Sequence, residues 1–169
     1  MTVTPELLKA LVESDLDLLS DGRVLAHIRS LLVPAKPVLR SWNYGFDGEQ
    51  YPRWTVLEHP ASNTGIAYCE NGFGPRSPWG LVFLEGNETQ MSIGMDSGWF
   101  TTFLQAYFDS QAVSELPIWR VVKTDASGKS HFLTGEGAWD ETWSQVMSLR
   151  ESDAASRYNH THNIVYERE

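Results

Sequence analysis

One cysteine, Cys69, occurs among 169 residues, so no intrachain disulfide can form and a cysteine-based zinc ribbon is excluded. A chain that keeps a free thiol is expected in the reducing cytoplasm. Basic residues are also scarce: 13 Lys and Arg stand against 22 Asp and Glu, a formal net charge of -9. That balance argues against binding nucleic acid or an anionic membrane, which requires cations to replace released counterions. No window approaches the roughly 18 apolar residues of a membrane span. The opening Met1-Thr-Val-Thr-Pro-Glu6 has no basic stretch leading into an apolar one, so no secretory signal is expected.

Catalytic signatures are missing as well. The glycine-rich stretch Gly72-Phe73-Gly74-Pro75-Arg76 lacks the Lys-Ser/Thr of a phosphate-binding loop, and Pro75 and Pro78 oppose a following helix. Gly-x-Ser-x-Gly, the elbow that presents a hydrolase serine, does not occur. No cofactor is expected, and nothing declares an enzyme.

Aromatic residues are abundant, at 12% with seven Trp. They favour either a well-packed core or an aromatic-lined surface site. The size and the apolar periodicity are those of a single domain over residues 1–169. Residues 1–34 read as a helical hairpin. Thr4-Pro5-Glu6 supplies an N-cap, a proline at the first helical position and an acid in the first turn. Leu7, Leu8, Leu11, Leu18 and Leu19 follow at helical spacing. Ser20 or Asp21 caps a second helix striped by Val24, Leu25, Ile28, Leu31 and Leu32, which Pro34 and Pro37 end.

From 38 to 169 the pattern predicts a mostly antiparallel twisted sheet with helices near 99–109 and 139–150, an α+β arrangement. Val38-Arg40-Trp42-Tyr44 alternates, and Trp54 and Val56 oppose Thr55 and Leu57. Ile66–Cys69 and Trp79–Leu84 read as strands, and Met91, Ile93 and Met95 as a further alternating run. Trp99, Phe103, Leu104, Tyr107 and Phe108 form one helical face capped by Asp96 or Ser97. Ile118–Lys123 and His131–Thr134 form a hairpin around Asp125-Ala-Ser-Gly128. Trp139, Trp143, Val146 and Met147 stripe another helix, and Asn163–Tyr166 reads as a closing edge strand. Trp79 and Trp119, and Trp99 and Trp139, recur at an offset of 40. Two ββα units, 79–110 and 119–150, are one reading of this, and chance plus shared ββα packing logic is the other.

Several residues have both a chemical and an architectural reading. Cys69 beside His59, His131, His160 or His162 could be a nucleophile, but a cysteine at a strand end packs more often as a small hydrophobe. His160-x-His162 puts two imidazoles on one face of an extended segment, although no second pair completes a metal site, and none is expected. Glu58, Glu70, Asp96 and Glu136 flank loops; Asp96 and Glu136 suit helix starts, where an acid complements the dipole. Aromatic loops carry more information. Trp42, Tyr44, Phe46, Tyr51 and Trp54 bracket an acidic turn, and Phe73 and Trp79 flank a loop with Arg76 at its tip.

The expected function is therefore that of a non-enzymatic acidic binding protein, an inhibitor or immunity-type protein that neutralises a basic toxin or nuclease. Asp47, Glu49, Tyr51, Glu58, Phe73 and Arg76 are its candidate contact residues. The alternative is a small enzyme or ligand-binding domain with a pocket near Trp42, Trp54, Cys69 and Trp79, with Glu70 and His59 as polar groups.

Overall fold

A computed structural model describes residues 2–42, 44–71, 76–85 and 98–167. The chain divides into two compact units, one of Met1–Val113 with Val165–Glu169 and the other of Ser114–Ile164. The class is α+β with antiparallel sheets, as the sequence predicts. Among the described residues, no helix is long and apolar enough to cross a membrane.

In unit 1, Thr4 Oγ1 accepts the Leu7 N–H at 3.2 Å and starts helix α1, Pro5–Leu16. Asp21 accepts from the Arg23 and Val24 N–H groups at 2.9 and 3.3 Å and starts α2, Gly22–Leu31. Leu8, Val12 and Leu16 of α1 and Val24 and Ile28 of α2 are buried at helical spacing. Arg29 of α2 forks onto Glu13 of α1 with contacts of 3.1 and 2.8 Å, joining the two helices of the hairpin.

Pro34 and Pro37 do not end the helix by breaking into a loop. The chain turns straight into strand β1, Leu32–Arg40, and both prolines lie inside it. They are tolerated because β1 is the edge of a five-stranded meander ordered β1-β2-β3-β4-β5, where a missing donor costs little. Strand β2, Tyr51–His59, carries an irregularity at Val56. Its pairing with β3, Thr64–Tyr68, steps from Thr55↔Ala67 to Leu57↔Ile66, so Val56 is an extra residue. The simple alternation of Trp54 and Val56 against Thr55 and Leu57 therefore fails, and the register puts Leu57 on the face of Trp54.

Strand β4, Trp79–Phe83, pairs with β3 and with the short β5, Trp99–Phe100. Trp99 thus belongs to a strand and not to the helix predicted to contain it. Gly80 makes this pairing possible, since a Cβ there would lie 2.8 Å from the Trp99 ring. Helix α3, Phe103–Asp109, starts at Thr102, whose hydroxyl accepts the Gln105 N–H at 3.2 Å. The predicted caps Asp96 and Ser97, and the run Met91, Ile93 and Met95, lie outside the described residues. Phe103 meets Trp79 edge-on at 5.5 Å, and Trp79 meets Tyr68 at 5.1 Å. The buried Tyr107 hydroxyl is 2.7 Å from His27 Nδ1 on α2. Tyr166 stacks on Phe108 at 4.2 Å.

Unit 2 is a three-stranded sheet, order β7-β6-β8, with helix α4, Trp139–Ser152, packed on it. Strands β6, Arg120–Thr124, and β7, Ser130–Phe132, form the expected hairpin. Asp125 Oδ1 accepts the Ser127 and Lys129 N–H groups, and Gly128 takes a φ of +83°. Val121, Val146, Tyr158 and Leu149 make the core. The helix is rotated relative to the predicted stripe: Thr142 and Val146 are buried, whereas Trp143 and Met147 are exposed. Strand β8 is Arg157–Thr161, not Asn163–Tyr166. Tyr158 sets that position, being buried and donating its hydroxyl to Asp153 Oδ2 at 2.6 Å. Among the described residues, 79–110 holds β4, β5 and α3, and 119–150 holds β6, β7 and most of α4, but the offset of 40 places Trp99 of β5 on Trp139 of α4, so equivalent tryptophans occupy different elements.

Two outcomes are expected. Asp21→Ala should lower stability by about 1 kcal/mol, read by urea denaturation. The Arg23 guanidinium holds the Asp21 carboxyl at about 2, below its ordinary 3.8. The cap's contribution is therefore full above that ordinary value and is lost as pH falls toward about 2, where wild type and variant should converge. Gly80→Ala should cost about 1–3 kcal/mol by driving a methyl against the Trp99 ring, with a shift in tryptophan emission.

Candidate functional site

The strand order determines which loops can cooperate. β1 and β2 end their ladder at Arg40↔Tyr51 and are joined by residues 41–50. β3 runs back toward that end, and Tyr68↔Trp79 carries the chain into β4. The 41–50 connection and the loop between β3 and β4 therefore leave the same end of the sheet.

At the tip of the β1–β2 hairpin, Trp42 meets Tyr44 at 5.9 Å and Tyr51 at 6.0 Å, both edge-on. The Gly45 N–H donates to the Trp42 carbonyl at 2.9 Å. A Cβ on Gly45 would lie 2.8 Å from the Tyr51 ring, so the close turn requires glycine. Gly48, at φ +80°, completes the reversal, with the Glu49 N–H donating to the Phe46 carbonyl at 3.1 Å. The Tyr51 hydroxyl donates to Glu49 Oε2 at 2.8 Å, and this bond raises the phenol above its ordinary pKa. This frame presents Tyr44 at 66% and Phe46 at 77% exposure, with Asp47 and Glu49 also exposed. Leu39, at the last turn of β1, is likewise exposed.

Of the six sequence-derived contact residues, the hairpin brings Asp47, Glu49 and Tyr51 together. Arg76 is exposed in the loop at the same end of the sheet. Phe73 lies outside the described residues. Glu58 is half-buried opposite Gly65, seven residues along β2 from Tyr51, or roughly 20 Å away at the rise of a strand.

Under the hairpin, Arg53 is buried, and its guanidinium is lowered to about 10 by burial and by the charge of Arg40. Cys69, one residue beyond the Trp54↔Tyr68 pair, acts electrostatically on Arg53 and is fully buried. His59 sits at the far end of β2, with Nδ1 2.6 Å from Ser62 Oγ. Cys69 and His59 are thus not brought together. Trp79 is buried against Tyr68 and Phe103. A cavity of about 650 Å³ opens in unit 1, between α1 and β1, and is lined by none of Trp42, Trp54, Cys69 or Trp79.

Unit 2 holds a second aromatic assembly. Trp119 and Trp139 meet at 4.8 Å, and the Trp139 and Trp143 rings lie parallel at 5.9 Å, one helical turn apart. His160 packs edge-on to Trp139 at 4.6 Å, and His162 to Trp119 at 5.4 Å. Arg150 lies over Trp143 at 5.5 Å. The two histidines do share a face, but tryptophans fill it. Among the described residues, no group of three or more His, Cys, Asp or Glu is placed to hold a metal. Burial lowers the pKa of both imidazoles, aided by the Arg150 charge at His160 and by His160 at His162. Spacing gave the histidine pair and the tryptophan pair separately, but only the fold brings β8 against α4.

No family model matches this chain, and neither a curated protein nor a solved structure is significantly similar to it.

Both imidazoles should titrate below the ordinary 6.5 when followed by NMR. Their neutral forms then add stability that is complete above that value and lost as pH falls through the folded-state pKa. A titration at or above 6.5 would contradict the burial.

Proposed function

We propose that this chain is a non-enzymatic binding protein of the inhibitor or immunity type, docking the tip of its β1–β2 hairpin on a basic toxin or nuclease. The observation that carries this reading is the exposure of Tyr44 and Phe46 on a turn braced by Gly45, Gly48 and the Tyr51–Glu49 hydrogen bond. Aromatic rings held in place at low entropic cost are what interface hot spots consist of. Asp47 and Glu49 beside them, on a chain of net charge -9, supply complementarity to a basic surface and steer the encounter. Arg76, at the same end of the sheet, is an additional polar contact. Glu58 is too distant to share the patch. A cytoplasmic setting is supported by the single free thiol of Cys69.

Tagged protein immobilised in extract of its native cells should retain a basic protein that elutes as salt rises. Tyr44→Ala with Phe46→Ala should weaken that complex by 10²-fold or more, on the order of 3 kcal/mol for two hot-spot rings. Asp47→Lys with Glu49→Lys should slow association most at low salt. Both variants should keep the wild-type melting temperature to within the small effect of surface changes. Undiminished binding by the aromatic variant would overturn the assignment of the tip.

A further inference from the structure

The cavity between α1 and β1 has the features of a ligand site. Its volume of about 650 Å³ falls in the range of small-molecule pockets. Leu8, Val12 and Val56 lie beneath the groove with almost no accessible surface of their own, and the half-buried Leu32, Val33 and Ala35 present the apolar surface that an occupant can touch. Val33, Pro34 and Ala35 form a wall where β1 departs from the ladder, between Leu32↔Leu57 and Lys36↔Thr55. Pro34 and Pro37 supply no N–H, so a partner strand added here would lack two donors. What the groove offers an occupant is apolar surface and the charges at its rim.

Those charges are Glu6, Lys9, Glu13 and Lys36. Glu13 is held in the fork of Arg29 and is neutralised by it. Lys9 and Lys36 are exposed, and the charge of Lys9 also bears on Glu13; counted with Arg29, three cations stand against the carboxylates of Glu6 and Glu13. A local excess of one positive charge beside an apolar trough, on a chain of net charge -9, selects a molecule with one negative charge and an apolar body.

We propose that this groove binds a monocarboxylic acid with an apolar tail, the tail lying along Leu32, Val33 and Ala35 and the carboxylate held by Lys9 and Lys36. The site is separate from the hairpin tip and does not depend on the reading given to it.

Dansyl-labelled undecanoic acid is the probe. Its fluorescence should rise saturably with the full chain, and dodecanoate should displace it. Lys9→Gln with Lys36→Gln should raise the Kd roughly five- to tenfold, the effect of removing two exposed ion pairs. Dodecanol should displace the probe less well than dodecanoate from the wild type, and no worse from the lysine variant. Ala35→Trp should fill the groove and abolish binding, with circular dichroism showing whether it folds; the lysine variant, altered only at exposed positions, provides the test if it does not. Asp47→Lys with Glu49→Lys should bind the probe as the wild type does, so this site and the hairpin tip fail separately. The proposal is overturned by absence of saturable binding, by an unchanged Kd in the lysine variant, or by dodecanol competing as well as dodecanoate.

Discussion

A strand flanked on both sides must give its backbone groups to two neighbours at once, and in unit 1 that demand falls on β2 around Val56. Both pairings of β2 slip at this residue: β3 steps past it, and β1 bows away opposite it. The slip turns Leu57 onto the face of Trp54. It also opens the wall formed by Val33, Pro34 and Ala35, so that Val56 lies beneath a groove and is not one more rung of a closed ladder. The sheet beyond it is a regular meander, with β3, β4 and β5 each pairing with the strand before.

The two ends of that sheet are built differently. At the hairpin end, rings are braced against one another and against glycines, and the outermost remain in water. At the other end, His59, Ser62 and Thr64 form a short hydrogen-bonded chain, with Ser62 Oγ 2.6 Å from both His59 Nδ1 and Thr64 Oγ1. These bonds satisfy a tight turn in which Asn63 adopts a positive φ of 55°. The imidazole of His59 is buried in this turn.

What could be read from the sequence was local. Thr4, Pro5 and Asp21 announce helix starts through bonds made within three residues, and Asp125-Ala-Ser-Gly128 announces its turn in the same way. What escaped depends on partners distant in sequence. Pro34 and Pro37 are breakers in a helix but harmless on a sheet edge, and nothing nearby says that β1 will be an edge. Trp99 has helical neighbours at Phe103 and Leu104, yet Gly80, far earlier in the chain, offers the flat surface that makes it a strand residue. At the candidate site, the proximity of Asp47, Glu49 and Tyr51 was legible because one turn holds them. The separation of Glu58 from them was not, because its distance along an extended strand is far greater than it would be along a helix. The histidine–tryptophan assembly was invisible as a unit because it joins β8 to α4.

The stacking of Tyr166 on Phe108 has a consequence for biosynthesis. Both rings belong to unit 1, while Ser114–Ile164 between them form unit 2, so unit 2 is nested within unit 1 in covalent order. As the polypeptide leaves the ribosome, Phe108 emerges first and waits for its ring partner until the whole nested segment has been translated, a delay on the order of seconds. Unit 2 can complete its own contacts once β8 has emerged, whereas unit 1 must still wait for Tyr166. The unit that begins first is thus the last to be closed, and a ribosome stalled within the insert would display a five-stranded sheet whose Phe108 has no lid.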